Sequence, residues 1–178
     1  MRGFDIAVGA AAIALVASVG VATPAAASNF GVELNGTYSV MSDGEWALRN
    51  AGPFGMGGAQ SFFDQQTVIE TWTVTTECVS PIECFGEVRS DRGYTATIRL
   101  EDFWLIDHDV PNWLPCPNGT FAPGHQKFIL EGVNPARNEF VNNPDFLVGR
   151  NVTKSASGAC GRNQPVVVEM PVKMQKLS

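Results

Sequence analysis

The sequence predicts an all-β protein, an antiparallel meander of about eight strands that forms a barrel or half-barrel cross-linked by two disulfides. Three observations lead to this prediction: apolar residues alternate with period two, the cysteines are even in number, and no convincing helical pattern follows residue 27. A β-sandwich is the alternative, because sequential strands with a polar outer face can also stack as two sheets.

The first 27 residues are typical of a secretory signal peptide. Arg2 precedes an apolar run over residues 6–21, and residues 24–27 (PAAA) offer a cleavage site before Ser28. An uncleaved membrane anchor is the alternative, but the run is weakly hydrophobic for a span and no basic stop-transfer cluster follows it. We therefore expect residues 1–27 to be removed and residues 28–178 to form one secreted β domain.

The charge of the chain argues against two classes of partner. The formal net charge is −6 at pH 7, and the 12 Lys and Arg residues are spread thinly along the sequence. Such a chain has no basic patch for nucleic acid or for anionic lipid. We expect a secreted or cell-envelope protein that binds no nucleic acid and keeps no stable membrane span after cleavage.

Residues 67–110 carry the clearest strand signals. Over residues 67–78 apolar side chains such as Trp72 and Val74 occupy alternate positions, and threonines fill the positions between them. Residues 85–91, 94–101 and 103–110 supply three further strands, separated by short turns. Four strands with no helical segment between them indicate a meander rather than βαβ units.

All four cysteines follow the predicted export signal, which indicates two disulfides. Three pairings are possible. A short hairpin loop places Cys78 near Cys84, so the Cys78–Cys84 bridge is favoured, and that leaves Cys116–Cys160. Structural zinc is the competing interpretation, but the spacing does not fit it, and no metal or other cofactor is predicted.

Weaker strand signals flank the meander, at residues 37–41, 125–133, 139–153 and 164–177. Pro171 has no backbone N–H, which predicts that the last strand lies at a sheet edge or begins a bulge there. The Gly-rich segment near residues 51–63 is interpreted as a connector, with an apolar flap over a pocket as the alternative.

Five blocks of the sequence carry a resemblance to a known group of proteins. The blocks are GTYSVMSDGEWA, ETWTVTTEC, PNWLPCPNGT, APGHQKF and SGACGRNQPVVVEMP, and they cover essentially the whole mature chain. Together they resemble a group of small secreted proteins of mycobacteria and related actinobacteria. The resemblance implies export to the cell envelope or the medium, and it brings no catalytic residues with it.

The predicted inner face of the sheet supplies the candidate ligand-binding residues. Alternation within residues 107–109 places His108 inside and both aspartates outside, while Glu70 lies inside on its own strand. A buried carboxylate needs a partner, and His108 is one candidate for Glu70. In the alternative, Glu70 and His108 lie near the ends of the barrel, where they are solvated or paired with Arg89 or Arg99. The candidate set is Trp72, Tyr94, Trp104, Phe128, Glu70 and His108.

Three functions are weighed on this basis. The preferred hypothesis is non-catalytic binding of a small apolar or amphipathic envelope molecule inside the barrel. The alternative is a protein-interaction module at the cell surface or with a host, in which Trp46, Trp113 and residues 54–63 supply exposed anchors. A hydrolase that uses Glu70 and His108 is the least favoured, because no nucleophile motif is present, and no catalytic residue is assigned.

Overall fold

The computed structural model describes residues 29–50 and 60–178, so the predicted signal peptide and residues 51–59 of the Gly-rich segment lie outside the described residues. Within these ranges the chain forms β-strands, one 3₁₀ turn and no α-helix. The elements are β1 (Gly36–Ser42), β2 (Leu48–Asn50), β3 (Gln60–Phe62), β4 (Val68–Ser80), β5 (Glu83–Ser90), β6 (Thr95–Leu100), β7 (Trp104–Pro115), β8 (Phe121–Asn134), β9 (Glu139–Phe140), β10 (Phe146–Ser155), the 3₁₀ turn (Ala159–Gly161) and β11 (Val167–Lys176).

Eight of these strands close into an antiparallel barrel. The order around the barrel is β1-β4-β5-β6-β7-β8-β10-β11, and β11 pairs with β1 to complete the circle. The predicted barrel is therefore confirmed and the sandwich is not formed. Two short extensions lie beside it: β2 pairs with β11 and carries β3, and β9 pairs with β8.

The alternation of side chains fills the barrel from within. Along β4 the even positions are buried and most odd positions are exposed, as the period-two pattern predicts. The main core cluster gathers side chains from every barrel strand, and its largest fully buried members are Trp72, Tyr38 and Phe128. A second, smaller cluster contains Ala47, Leu114, Val166, Val168 and Met170.

Both predicted disulfides are present. Cys78 and Cys84 face each other across β4 and β5, with 4.0 Å between their Cα atoms, and both side chains belong to the main core. Cys116 and Cys160 are 4.9 Å apart and connect the β7–β8 turn to the 3₁₀ turn beside the smaller cluster. Each bridge thus anchors one of the two apolar clusters.

The expectation that the last strand lies at an edge is wrong, because β11 has neighbours on both sides. Pro171 is opposite Arg150 of β10, and its carbonyl oxygen accepts a hydrogen bond from the Asp43 N–H at 2.8 Å. On that side the partner of β11 changes from β1, which ends opposite Val172, to β2, which begins opposite Glu169. The missing N–H of Pro171 therefore falls in the gap between two partners, where no ladder bond is lost.

The long β7–β8 hairpin contains an irregularity that turns a tryptophan towards the second cluster. The register of the pair shifts between Val110 and Leu114, and Asn112 has a positive φ of 54°. Trp113 is half-buried against the smaller cluster, and a Cβ at Gly124 would lie 2.7 Å from its ring. Glycine is thus required at position 124, opposite Trp113. Trp113 is less exposed than an interface anchor would be, so it does not match the anchor role predicted for it.

Candidate functional site

The structure places the six predicted ligand-binding residues inside the barrel or at its rim. Trp72 and Phe128 are fully buried and contact each other edge to face, with 4.8 Å between ring centroids. Trp104 is buried near the end of the barrel, and Glu70 is only 5% exposed. Tyr94 and His108 are half-buried.

Glu70 is held by two hydroxyl groups, and no cation pairs with it among the residues that the structure describes. The Ser90 hydroxyl donates to its carboxylate at 2.6 Å, and the Tyr94 hydroxyl donates to the same oxygen at 2.8 Å. The indole N–H of Trp72 in turn donates to the Tyr94 oxygen at 3.1 Å. Burial, and then the negative charge of Glu70, raise the pKa of Tyr94 above its ordinary range, so this hydroxyl stays a donor.

Tyr94 also connects Glu70 to His108. Its ring is stacked on the His108 ring, with centroids 3.8 Å apart and planes 3° from parallel. Tyr94 therefore lies between Glu70 and His108. The structure records no direct hydrogen bond between these two described residues. Sequence alternation predicts which residues point inwards, but it does not show that Tyr94 lies between them.

His108 also begins a chain of hydrogen-bonded polar side chains. His108 Nε2 is 2.5 Å from the Gln126 Oε1 atom, and the Gln126 amide donates to Asn151 at 2.9 Å and to Thr153 at 3.2 Å. Because the Gln126 nitrogen is used as a donor, its oxygen accepts and Nε2 of His108 carries the proton. The imidazole Nδ1 is buried and has no hydrogen-bond partner among the described residues.

These groups form a polar layer between the two apolar clusters. Along β7, His108 lies between Ile106 of the main cluster and Leu114 of the smaller one. Hydrogen bonds join β4 to β5 and join β7 to β8 and β10, and the stack of Tyr94 on His108 connects the two groups. Its chemistry is that of a packed interior, in which five of the six residues, all but Trp104, are joined by hydrogen bonds and ring contacts.

A deep hollow lies on the outside of the barrel. Its floor is the outer face of β7, β8, β10 and β11, and its volume is about 870 Å³. Trp46, in the turn before β2, and Leu48 of β2 form one wall, and Phe140 of β9 forms part of the other. We call this hollow the outer groove; its apolar lining includes Trp46, Leu48, Leu105, Ile129, Val148 and Pro171.

The wall above Trp46 is built from aromatic contacts. Trp46 is 60% exposed and meets Phe62 of β3 edge to face, with 5.9 Å between ring centroids. The Arg49 guanidinium lies 4.9 Å from the ring centroid of Phe63. Trp46 is therefore exposed, as the sequence predicts, but it lines a groove and does not project alone.

Four charged side chains also line the outer groove. Lys127 lies 3.4 Å from Asp107, and Arg150 lies 3.8 Å from Glu169. Burial opposes the ionisation of Asp107, but the hydrogen bond from Arg99 and the charge of Lys127 outweigh it and hold the Asp107 pKa below its usual range. The fourth charge is Glu131 of β8, which is half-buried.

A second hollow of about 320 Å³ continues from the first. The two share Phe103, Glu131 and Phe140, and the second reaches Trp104 and Leu130 at the end of the barrel. Trp104 is thus the one predicted ligand-binding residue that borders either of these two hollows.

The outer groove is the feature that the sequence interpretation missed. Leu105 and Ile129 are apolar residues at outward positions, and they face each other across β7 and β8. Apolar side chains at positions that alternation assigns to solvent are the signal available in the sequence. His125 lies within β8, with its ring nitrogens 3.3 Å from Asp107 and 2.9 Å from Asp109.

Comparison with known proteins gives a match of fold. No family model matches the chain, and no curated protein matches it. Among solved structures it is similar to the monomer form of the M. tuberculosis PknI sensor domain, with a TM-score of 0.54 and 16% identity over 82% of this chain and 88% of that one. Within residues 29–50 and 60–178, no helix is long and apolar enough to cross a membrane.

Proposed function

We propose that the chain is an extracytoplasmic binding domain that holds one small apolar or amphipathic molecule in the outer groove. The observation that carries the proposal is the groove itself: about 870 Å³ with a mainly apolar lining and a few charged groups. Small-molecule sites are typically concave, mostly apolar and of this size. Of the six predicted ligand-binding residues, Trp104 is available to a molecule that reaches the second hollow.

Two features support an extracytoplasmic location. The described chain contains two disulfides, which persist in oxidising compartments and are rare in the cytosol. The similar solved structure is described as a sensor domain. Both observations fit a binding role outside the cytoplasm.

A protein-interaction role is the second candidate. Phe140 is 72% exposed and Trp46 is 60% exposed, and both border the outer groove. Aromatic side chains of this kind are frequent anchors in protein interfaces. The groove favours a small molecule, because an interface anchor needs an exposed side chain but no hollow beside it.

Binding of the neutral dye Nile red tests the proposal. We expect the oxidised protein to bind the dye with a blue-shifted emission, because the dye enters an apolar site. Trp46→Ala removes one wall and is expected to weaken dye binding about tenfold, the effect of losing roughly 1.4 kcal/mol of apolar contact. The matched control is Phe85→Ala, which removes an exposed aromatic ring from β5.

The control decides the outcome. Phe85→Ala is expected to leave the dye affinity unchanged, and neither variant is expected to alter the denaturation midpoint by much, since both rings are exposed. A wild-type protein that binds no dye, or an equal loss of affinity in both variants, contradicts the proposal.

A further inference from the structure

Two cations and two anions line the outer groove, but these four side chains are not all paired. Lys127 and Arg150 each have an opposite charge within 4 Å, and the partner of Arg150 is Glu169 of the groove itself. Glu131 has no ion-pair partner in the part of the chain that the structure describes. Among the described residues, Glu131 is therefore the one charged side chain of the lining without an ion pair.

Glu131 occupies the junction of the two hollows. It lines both of them, and Phe103 and Phe140 are the other residues that they share. The second hollow adds Asp102 and Glu101, of which Glu101 is 2.9 Å from Arg99. A carboxylate beside exposed aromatic rings is the chemistry that recognises an ammonium group, through charge attraction and the negative faces of the rings.

We propose that the ligand of the outer groove is an amphipathic cation. Its apolar body covers the floor at Leu105, Ile129 and Val148, and its protonated amine or quaternary ammonium group lies at Glu131 between Phe103 and Phe140. This inference depends on the proposed function, because it needs an apolar molecule in the groove.

Desolvation explains why a cation fits better than a neutral or anionic amphiphile. Any molecule that covers the groove removes water from Glu131, and a buried carboxylate without a partner is costly. A neutral ligand leaves that cost uncompensated, and an anion adds repulsion. Lys127 and Arg150 offer an anion little, since their charges are already engaged with Asp107 and Glu169.

Three amphiphiles built on twelve-carbon chains test the charge preference. Calorimetric titrations compare dodecyltrimethylammonium, dodecyl maltoside and dodecanoate, each below its critical micelle concentration. We expect the ammonium probe to bind about fivefold more tightly than the neutral one, as one partly exposed ion pair with aromatic contacts allows. Dodecanoate is expected to bind most weakly.

Two variants isolate the role of Glu131. Glu131→Gln is expected to weaken binding of the ammonium probe about fivefold and to strengthen binding of dodecanoate, because the local negative charge is gone. Glu77→Gln is the matched control: it removes one exposed carboxylate from β4, so the net charge changes equally. We expect Glu77→Gln to leave the order of the three probes and their affinities unchanged.

The outcomes separate this inference from the proposed function. Equal affinities for the three probes, tightest binding of dodecanoate, or identical behaviour of the two variants overturns the cation preference, while Nile red binding keeps the groove as a site. Failure of every dodecyl probe and of Nile red overturns both.

Discussion

The two halves of the barrel surface differ in chemistry although they share one interior. The outer face of β1, β4, β5 and β6, which we call the hydroxyl wall, presents seven hydroxyl side chains from β1, β4 and β6, beside exposed apolar residues such as Ile69 and Phe85. The outer face of β7, β8, β10 and β11, which we call the groove wall, is the apolar floor of the outer groove. The outward hydroxyl residues are Thr37, Ser39, Thr71, Thr73, Thr75, Thr95 and Thr97.

The difference shows what strand formation does not require. Threonine, isoleucine and valine are all β-branched and all suit a strand, so the fold is satisfied by either kind of wall. Thr73 and Thr75 are exposed, whereas Ile129 and Val148 are half-buried and line the outer groove together with Leu48 of β2 and Phe140 of β9. The apolar choice on one wall therefore serves the groove, in addition to the barrel.

The largest expected effect is a loss of stability, and it differs between the inward and the outward residues of β8. Phe128 points into the barrel against Trp72, and Phe128→Ala is expected to lower the free energy of unfolding by about 4 kcal/mol, because it leaves a cavity in a packed core. Its neighbour Ile129 points outwards, and Ile129→Ala is expected to cost about 1 kcal/mol. Guanidinium denaturation measures both; equal losses would show that the outer face is as much a core as the inner one.

A smaller effect is expected from exchanging side chains between the walls. Ile129→Thr gives the groove wall a hydroxyl while it keeps the β-branched shape, and we expect Nile red to bind about fivefold more weakly. Thr73→Ile makes the reverse change on the hydroxyl wall and is expected to leave dye binding unchanged. Fluorescence titration measures the two affinities. Dye binding gained by Thr73→Ile would mean that any apolar patch on this barrel suffices.

Local alternation explains how much of the fold was predictable. Period two predicts the strands and the inward side of each, including the separation of His108 from Asp107 and Asp109. The even cysteine count and one short hairpin predict both disulfides. These are properties of neighbouring residues, so no knowledge of the tertiary structure is needed.

Long-range pairing explains what was not predictable. The outer groove exists because β2 pairs with β11, placing Leu48 opposite Glu169, and nothing local to residue 48 specifies that partner. Pro171 indicates an edge strand by its own chemistry, yet the change of partner from β1 to β2 accommodates it inside a closed barrel. The contact of Tyr94 with both Glu70 and His108 likewise depends on three strand registers at once.

The smallest expected effect concerns the charges that border the groove wall. The Asp107 pKa is depressed in the folded protein, so its ionised form stabilises the fold at pH values above the unfolded pKa of about 3.9. That contribution is lost as the pH falls through the folded pKa. At pH 7 we expect Asp107→Asn to lower the free energy of unfolding by about 1 kcal/mol or less, because Arg99 and Lys127 are 39% and 38% exposed and solvent screens them.

The pH dependence of that variant separates charge from packing. We expect the difference between Asp107→Asn and the wild type to shrink below pH 4 and to vanish at lower pH, where both side chains are neutral. Urea denaturation at pH 7 and at several values between pH 2 and 4 measures it, with Glu77→Gln on the hydroxyl wall as the control for net charge. A difference that stays constant over this range would mean that Asp107 acts by shape or by a neutral hydrogen bond, and that the groove wall owes nothing to its border charges.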